Sequence, residues 1–142
     1  MISRMDLPSD NAGLEAANPH VKLLTSGYAG ILADFEKELE VGVWMISGLT
    51  QDVYWSAGIY HLHDVELGMP VGLESGLSYY VPEDQYRIRA LVEDAMLNQK
   101  GFEFEATIIS ETGRRKKVHS IGDYRIIDGV PMLVGIFRLK HG

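Results

Sequence analysis

The last third of the chain leaves the rest little freedom. In FEFEATII (residues 102 to 109), Phe102, Phe104, Ala106 and Ile108 alternate with Glu103, Glu105 and Thr107, the period of a strand with one buried face and one wet face. ETGR follows as a turn, then RKKVHSIGDYRII, a second turn at DGVP, and MLVGIFRL. Strands joined by turns this short have only antiparallel pairing open to them. The resulting sheet must bury a face, so the upstream residues have to supply its cover.

The clearest cover is VPEDQYRIRALVEDAMLNQKG. Pro82 suits a first helical turn, Glu83 and Asp84 favour the positive end of the helix dipole, and Gly101 closes the helix. Ile88, Leu91, Val92, Ala95 and Met96 recur at helical spacing and form its apolar stripe. Earlier, two Val/Ile/Trp/Tyr-rich runs flank SGLTQD in VGVWMISGLTQDVYWS and read as a hairpin, which brings the strands to five. Residues 57 to 80 are glycine-rich and read as short helical turns and loops. Val21, Leu24, Tyr28, Ile31, Phe35 and Leu39 make one stripe on an amphipathic helix over residues 20–40, which Gly27 and Gly30 weaken so that it needs something to pack on. Residues 1–19, with Pro8, Gly13 and Pro19, read as a flexible arm. The fold class is α+β, with residues 41–140 as the main domain.

Charge and composition exclude several functions. With a net charge of -7 and a pI near 5.1, the chain lacks the clustered positive field that nucleic acid requires. Arg114, Arg115, Lys116 and Lys117 are consecutive, but strand alternation sends neighbours to opposite faces, and the run is expected to pair with the glutamates of FEFE across the hairpin. There is no cysteine, hence no disulfide and no thiolate chemistry. No apolar run approaches the ~20 residues of a membrane span, and no signal peptide opens the chain. A cytoplasmic protein with neither nucleic-acid nor membrane partners is expected.

Catalytic and metal motifs are weak. In HLHD, His61 and His63 would share a face on a strand but point about 200° apart on a helix, and the expected reading is exposed histidines at a helix end. Ser75 in GLESG is one position late for a nucleophile elbow. Glu103 and Glu105 belong to the solvent side of their strand. No nucleophile, base and orienter come together, so neither an enzyme nor a metal site is expected.

Over roughly residues 40 to 140 the chain resembles a PAS sensor domain. GVWMISGLTQDVYWSAGIYHL is similar to the family's opening strand pair and short helix, with Trp44 and VYWS (Val53 to Ser56) in the usual places. YVPEDQYRIRALVEDAM resembles the start of its long helix, with Val81 where a His is common, and FEFE through LVGIF resembles its closing strands. RLKHG stands where the family commonly closes with DIT. The resemblance implies a five-stranded antiparallel sheet with short helices and one longer helix on its concave face, preceded by the amphipathic helix. It implies a sensing and dimerisation module, a homodimer, whose output lies in an effector domain or protein outside this chain. No cofactor is required. Family members that bind haem do so through a histidine on the long helix, and this one has none; His61 and His119 are minor alternatives. A flavin-thiol photocycle needs a cysteine, whereas flavin bound without one stays open.

The inward faces nominate a pocket for a small ligand: Trp44, Ile46, Val53 and Trp55 from the first strands, Leu91, Val92 and Met96 from the helix, and Phe104, Ile108, Ser120, Gly122, Tyr124, Gly135 and Phe137 from the later strands. Gly122 and Gly135 would give a ligand room, and Ser120 and Tyr124 the polar groups to orient it. The same residues would also fill a ligandless core, and both readings stay open. The last strand is apolar on both faces. Its outer residues Met132, Val134 and Ile136 are expected to meet the stripe of residues 21 to 39, within one chain or across a dimer.

Overall fold

The computed structural model describes residues 27–141. The expected arm and the start of the amphipathic helix, including Val21 and Leu24, lie outside the described residues. Helix α1 (Tyr28–Leu39) buries none of its residues, and a boundary between two structural units falls within it, between Phe35 and Glu36. Glu40, at a φ of 57°, turns the chain into strand β1 (Val41–Ser47).

Strand β2 (Asp52–Trp55) returns against β1 with Trp44 opposite Trp55. Helix α2 (Ala57–His63), strand β3 (Val71–Gly72), helix α3 (Leu73–Leu77) and helix α4 (Pro82–Asn98) follow. Strands β4 (Phe102–Ile109), β5 (Arg115–Ile127) and β6 (Val130–Leu139) close the chain. The sheet has six strands in the order β3-β2-β1-β6-β5-β4, all antiparallel. Six replaces the expected five because β3, two residues beside Asp52 and Val53, is too short to carry an alternation.

Local chemistry explains the turns. Ile127 faces Val130 across Asp128 (φ 50°) and Gly129 (φ 79°), a two-residue turn with both central residues left-handed, the geometry that suits strand twist. The β4–β5 turn is longer, and Arg115 pairs with Ile109. This displaces the basic run from its expected partners: Lys116 and Lys117 face Ile108 and Thr107, while Glu103 and Glu105 face Ile121 and His119. Arg114 and Lys116 instead lie near Asp64. Lys116 Nζ lies 3.6 Å from Asp64 and donates to the Leu62 carbonyl at 2.6 Å, closing the end of α2; Glu105 takes Lys140 at 3.1 Å.

Helix α4 begins at Pro82 with Glu83 and Asp84 in its first turn and buries Ile88, Val92 and Ala95. It ends before Gly101: Gln99 takes the left-handed position, with its N–H bonded to the Ala95 carbonyl. The start of α2 is held by Glu36. Its Oε1 accepts the Gly58 N–H at 2.7 Å and the Ser56 hydroxyl at 2.8 Å, and Ser56 Oγ in turn accepts the Val43 N–H at 2.8 Å. On the outer face, Val43, Ile136 and Ile121 stand in one row across β1, β6 and β5, each about half exposed.

Candidate functional site

A cavity of about 70 Å³ lies between the inner sheet face and helices α2, α3 and α4. Eight of the expected residues line it: Trp44, Ile46, Val53, Trp55, Val92, Phe104, Ser120 and Phe137. Six do not. Ile108 is fully buried in the packed core, and Leu91, Met96 and Tyr124 pack half-buried against that core away from the cavity. Gly122 and Gly135 make room for Trp44 rather than for a ligand. A Cβ on Gly135 would stand 2.5 Å from Trp44 Cζ2, and one on Gly122 2.8 Å from Trp44 Cη2.

Trp44 is locked where it lies. Its indole Nε1 donates to Ser120 Oγ at 2.9 Å, and Ser120 donates to the Ile136 carbonyl at 3.0 Å. Ser120→Ala is expected to cost about 1–2 kcal/mol in urea denaturation, because it strands a buried indole N–H. A change below 0.5 kcal/mol would mean that the indole finds another acceptor.

The sequence reading missed Ile59, His63, Leu73, Gly76, Leu77, Tyr80, Ile88 and Phe102, which complete the wall. Most of them lie in residues 57 to 80, where glycines suggested loops. A signal was present: Ile59 and His63 stand one helical turn apart and share a face.

His63 overturns the expectation of an exposed histidine. It is only 2% exposed, whereas His61 is exposed. The His63 ring stacks on Trp55 (centroids 4.3 Å apart) and on Phe137 (5.2 Å), with Tyr79 edge-on at 4.9 Å. Its Nδ1 lies 2.9 Å from the Ile59 carbonyl. Burial lowers its pKa to about 4, helped by Lys116 and opposed by the bond to Ile59 and by Asp64. Beside it, burial and the Asp84 charge push the Tyr80 phenol up, so it stays a neutral hydroxyl. No charged side chain lines the cavity. His119 belongs to another cluster: its Nε2 lies 2.6 Å from the Glu103 carboxylate, and Arg138 Nε donates to its Nδ1 at 3.2 Å.

A second hollow of about 270 Å³ is polar, lined by Asp84, Arg87, Glu105, Lys117 and Lys140 among others. Most of its charges are already paired, Arg87 with Asp84 and Lys140 with Glu105. Among the described residues no group of three His, Asp or Glu side chains is arranged to hold a metal, and no helix is long and apolar enough to cross a membrane.

No family model and no curated protein matches the chain. Solved structures do. The N-terminal domain of a diguanylate cyclase with a PAS/PAC sensor from Marinobacter aquaeolei superposes with a TM-score of 0.62 at 18% identity, over 68% of this chain and 92% of that one. A sensory box histidine kinase/response regulator from Burkholderia thailandensis gives 0.58 at 18% identity, over 72% of this chain and 79% of that one. The PAS domain of a protein from Colwellia psychrerythraea gives 0.58 at 19% identity, over 78% and 97%. The fold is that of PAS domains.

Proposed function

We propose that this PAS-fold chain is a non-catalytic sensing module of the cytoplasm that responds to a small molecule in its inner cavity and works as a homodimer. The observation that carries the reading is the cavity itself, whose wall draws on five strands of the sheet, β1, β2, β4, β5 and β6, and on α2, α3 and α4. Filling it therefore bears on every layer of the domain. A ligand that fits one arrangement of helices and sheet better than another shifts the population between them, and an effector domain or protein outside these residues would read the change.

Dimerisation is assigned to the outer face. Val43, Ile121 and Ile136, flanked by half-exposed Tyr54 and half-buried Val134, form an apolar surface that water disfavours. Met132 adds little, being 8% exposed. Tyr28, Ile31, Phe35 and Leu39 of α1 are exposed and supply the second apolar stripe. Native mass spectrometry is expected to show a dimer that Ile136→Asp converts to monomer. A wild-type monomer at tens of micromolar would remove dimerisation from the reading. A thermal-shift screen of small metabolites tests sensing, since a ligand at 100 times its Kd adds about 2.7 kcal/mol of stability.

A second reading, a ligandless interaction module, is favoured by the cavity's size. Sites for drug-sized ligands run to about 300–1,000 Å³, against about 70 Å³ here. A haem or flavin ring does not fit that space, and the His63 ring is already stacked against Trp55 and Phe137. A screen without a hit, with the dimer intact, would select the ligandless reading.

A further inference from the structure

We propose that the cavity takes a neutral molecule smaller than a benzene ring, which donates a single hydrogen bond to His63 Nε2. The inference rests on the ligand-sensing reading above and gives that ligand a chemical class.

The proton on His63 can be placed without seeing it. A carbonyl oxygen only accepts, so the 2.9 Å contact with the Ile59 carbonyl puts the hydrogen on Nδ1. Burial keeps the ring neutral at physiological pH, and Nε2 is then a bare acceptor. The Nδ1 contact is the ring's one hydrogen bond among the described residues, although the side chain is only 2% exposed and forms part of the cavity wall. A buried acceptor left unpaired is costly, and an occupant that donates to it removes that cost.

The other polar groups of the wall narrow the choice. Ser120 already accepts from Trp44 and donates to the Ile136 carbonyl. Tyr80 and Trp55 are the other wall residues with polar side-chain groups, a phenol hydroxyl and an indole N–H, and neutral imidazole nitrogen is a stronger acceptor than either. A carboxylate or phosphate would be buried here with no countercharge, since the wall holds none, so anions are excluded by their desolvation cost. Size sets the upper limit: an apolar cavity of about 150 Å³ admits benzene, and this one, at about 70 Å³, holds only a smaller molecule.

The test uses isopropanol, acetone and acetate as probes of matched shape, titrated into the full chain while the ¹⁵N resonance of His63 Nε2 is followed. Acetone cannot donate a hydrogen bond, so in a cavity that offers no free acceptor it binds at least as well as isopropanol. The expected result is that isopropanol binds about tenfold tighter than acetone, moves the Nε2 resonance in the direction of an accepted hydrogen bond, and outcompetes acetate. In His63→Phe, which keeps a stacked ring, the preference for isopropanol should vanish; should that variant not fold, the wild-type resonance decides alone. Acetone binding as tightly as isopropanol with an unmoved resonance overturns the proposal and leaves the sensing reading intact, as does acetate binding on a par with isopropanol. No binding of any probe at high millimolar concentration overturns the proposal and leaves the sensing reading to the thermal-shift screen.

Discussion

Gly135→Ala is expected to lower the stability of the domain by about 3 kcal/mol in urea denaturation, at the upper end of what overpacking does. Gly135 sits in β6 between Trp44 on β1 and Gly122 on β5. A methyl group there meets Trp44 Cζ2 at 2.5 Å, Cε2 at 2.7 Å and the carbonyl oxygen of Ile121. The carbonyl belongs to the sheet and cannot move without opening the β5–β6 ladder. Nor can the indole swing away, because doing so gives up the bond to Ser120 and the tilted contact with Phe102, 5.7 Å between centroids. Gly122→Ala meets only the side chains of Phe102 and Trp44, at 2.8 Å, and should cost less. The ordering is the informative result. Equal losses, or a Gly135→Ala domain as stable as the wild type, would show that Trp44 is free to shift and that the glycines serve some other purpose.

The second large effect is a dependence on pH. Above pH 6.5, His63 is neutral whether the chain is folded or not, and it contributes nothing to pH dependence. Below that, the unfolded chain takes up a proton that the folded chain refuses until about pH 4, because burial opposes the charged ring. Stability therefore falls as the pH drops from 6.5 to about 4, by about 3 kcal/mol in all. His63→Phe keeps an aromatic ring against Trp55 and Phe137 and removes the proton site. Its stability should be nearly flat across the same window, so that the two proteins are comparable at neutral pH and diverge as the pH falls, the wild type becoming the less stable. Parallel curves from urea melts would mean that His63 is accessible to solvent and protonates at its ordinary pH.

These two sites show where sequence reasoning holds and where it stops. FEFEATII and RKKVHSIGDYRII become β4 and β5 with the expected boundaries, because alternation and turn glycines are local signals that tertiary packing reinforces. Pairing register is not local. The sequence reading pairs the glutamates with the basic run, but with Arg115 opposite Ile109 the run meets the end of β4, and the glutamates lie farther along, opposite Ile121 and His119. Eight of the fourteen expected pocket residues line the cavity, since inward-facing positions on strands follow from the period alone. The remainder depended on which side chain fills which gap. Gly122 and Gly135 do mark a close approach, yet nothing in their spacing says that the visitor is an indole from the chain's own first strand. His63 was obscured by its setting, five helical residues after Gly58 in a stretch that glycines make look irregular.

Helix α2 is a lever with its two ends in different hands. Its last residue, His63, forms part of the cavity wall, and near its first residue the Gly58 N–H hangs on the carboxylate of Glu36, which belongs to α1. About 10 Å of helix joins the two, too short to flex along the way. Any occupant that pushes the imidazole aside must either drag that carboxylate with it or break its grip. On the proposed sensing reading, an occupant of the cavity would therefore be felt at Glu36 Oε1 without any rearrangement of the sheet.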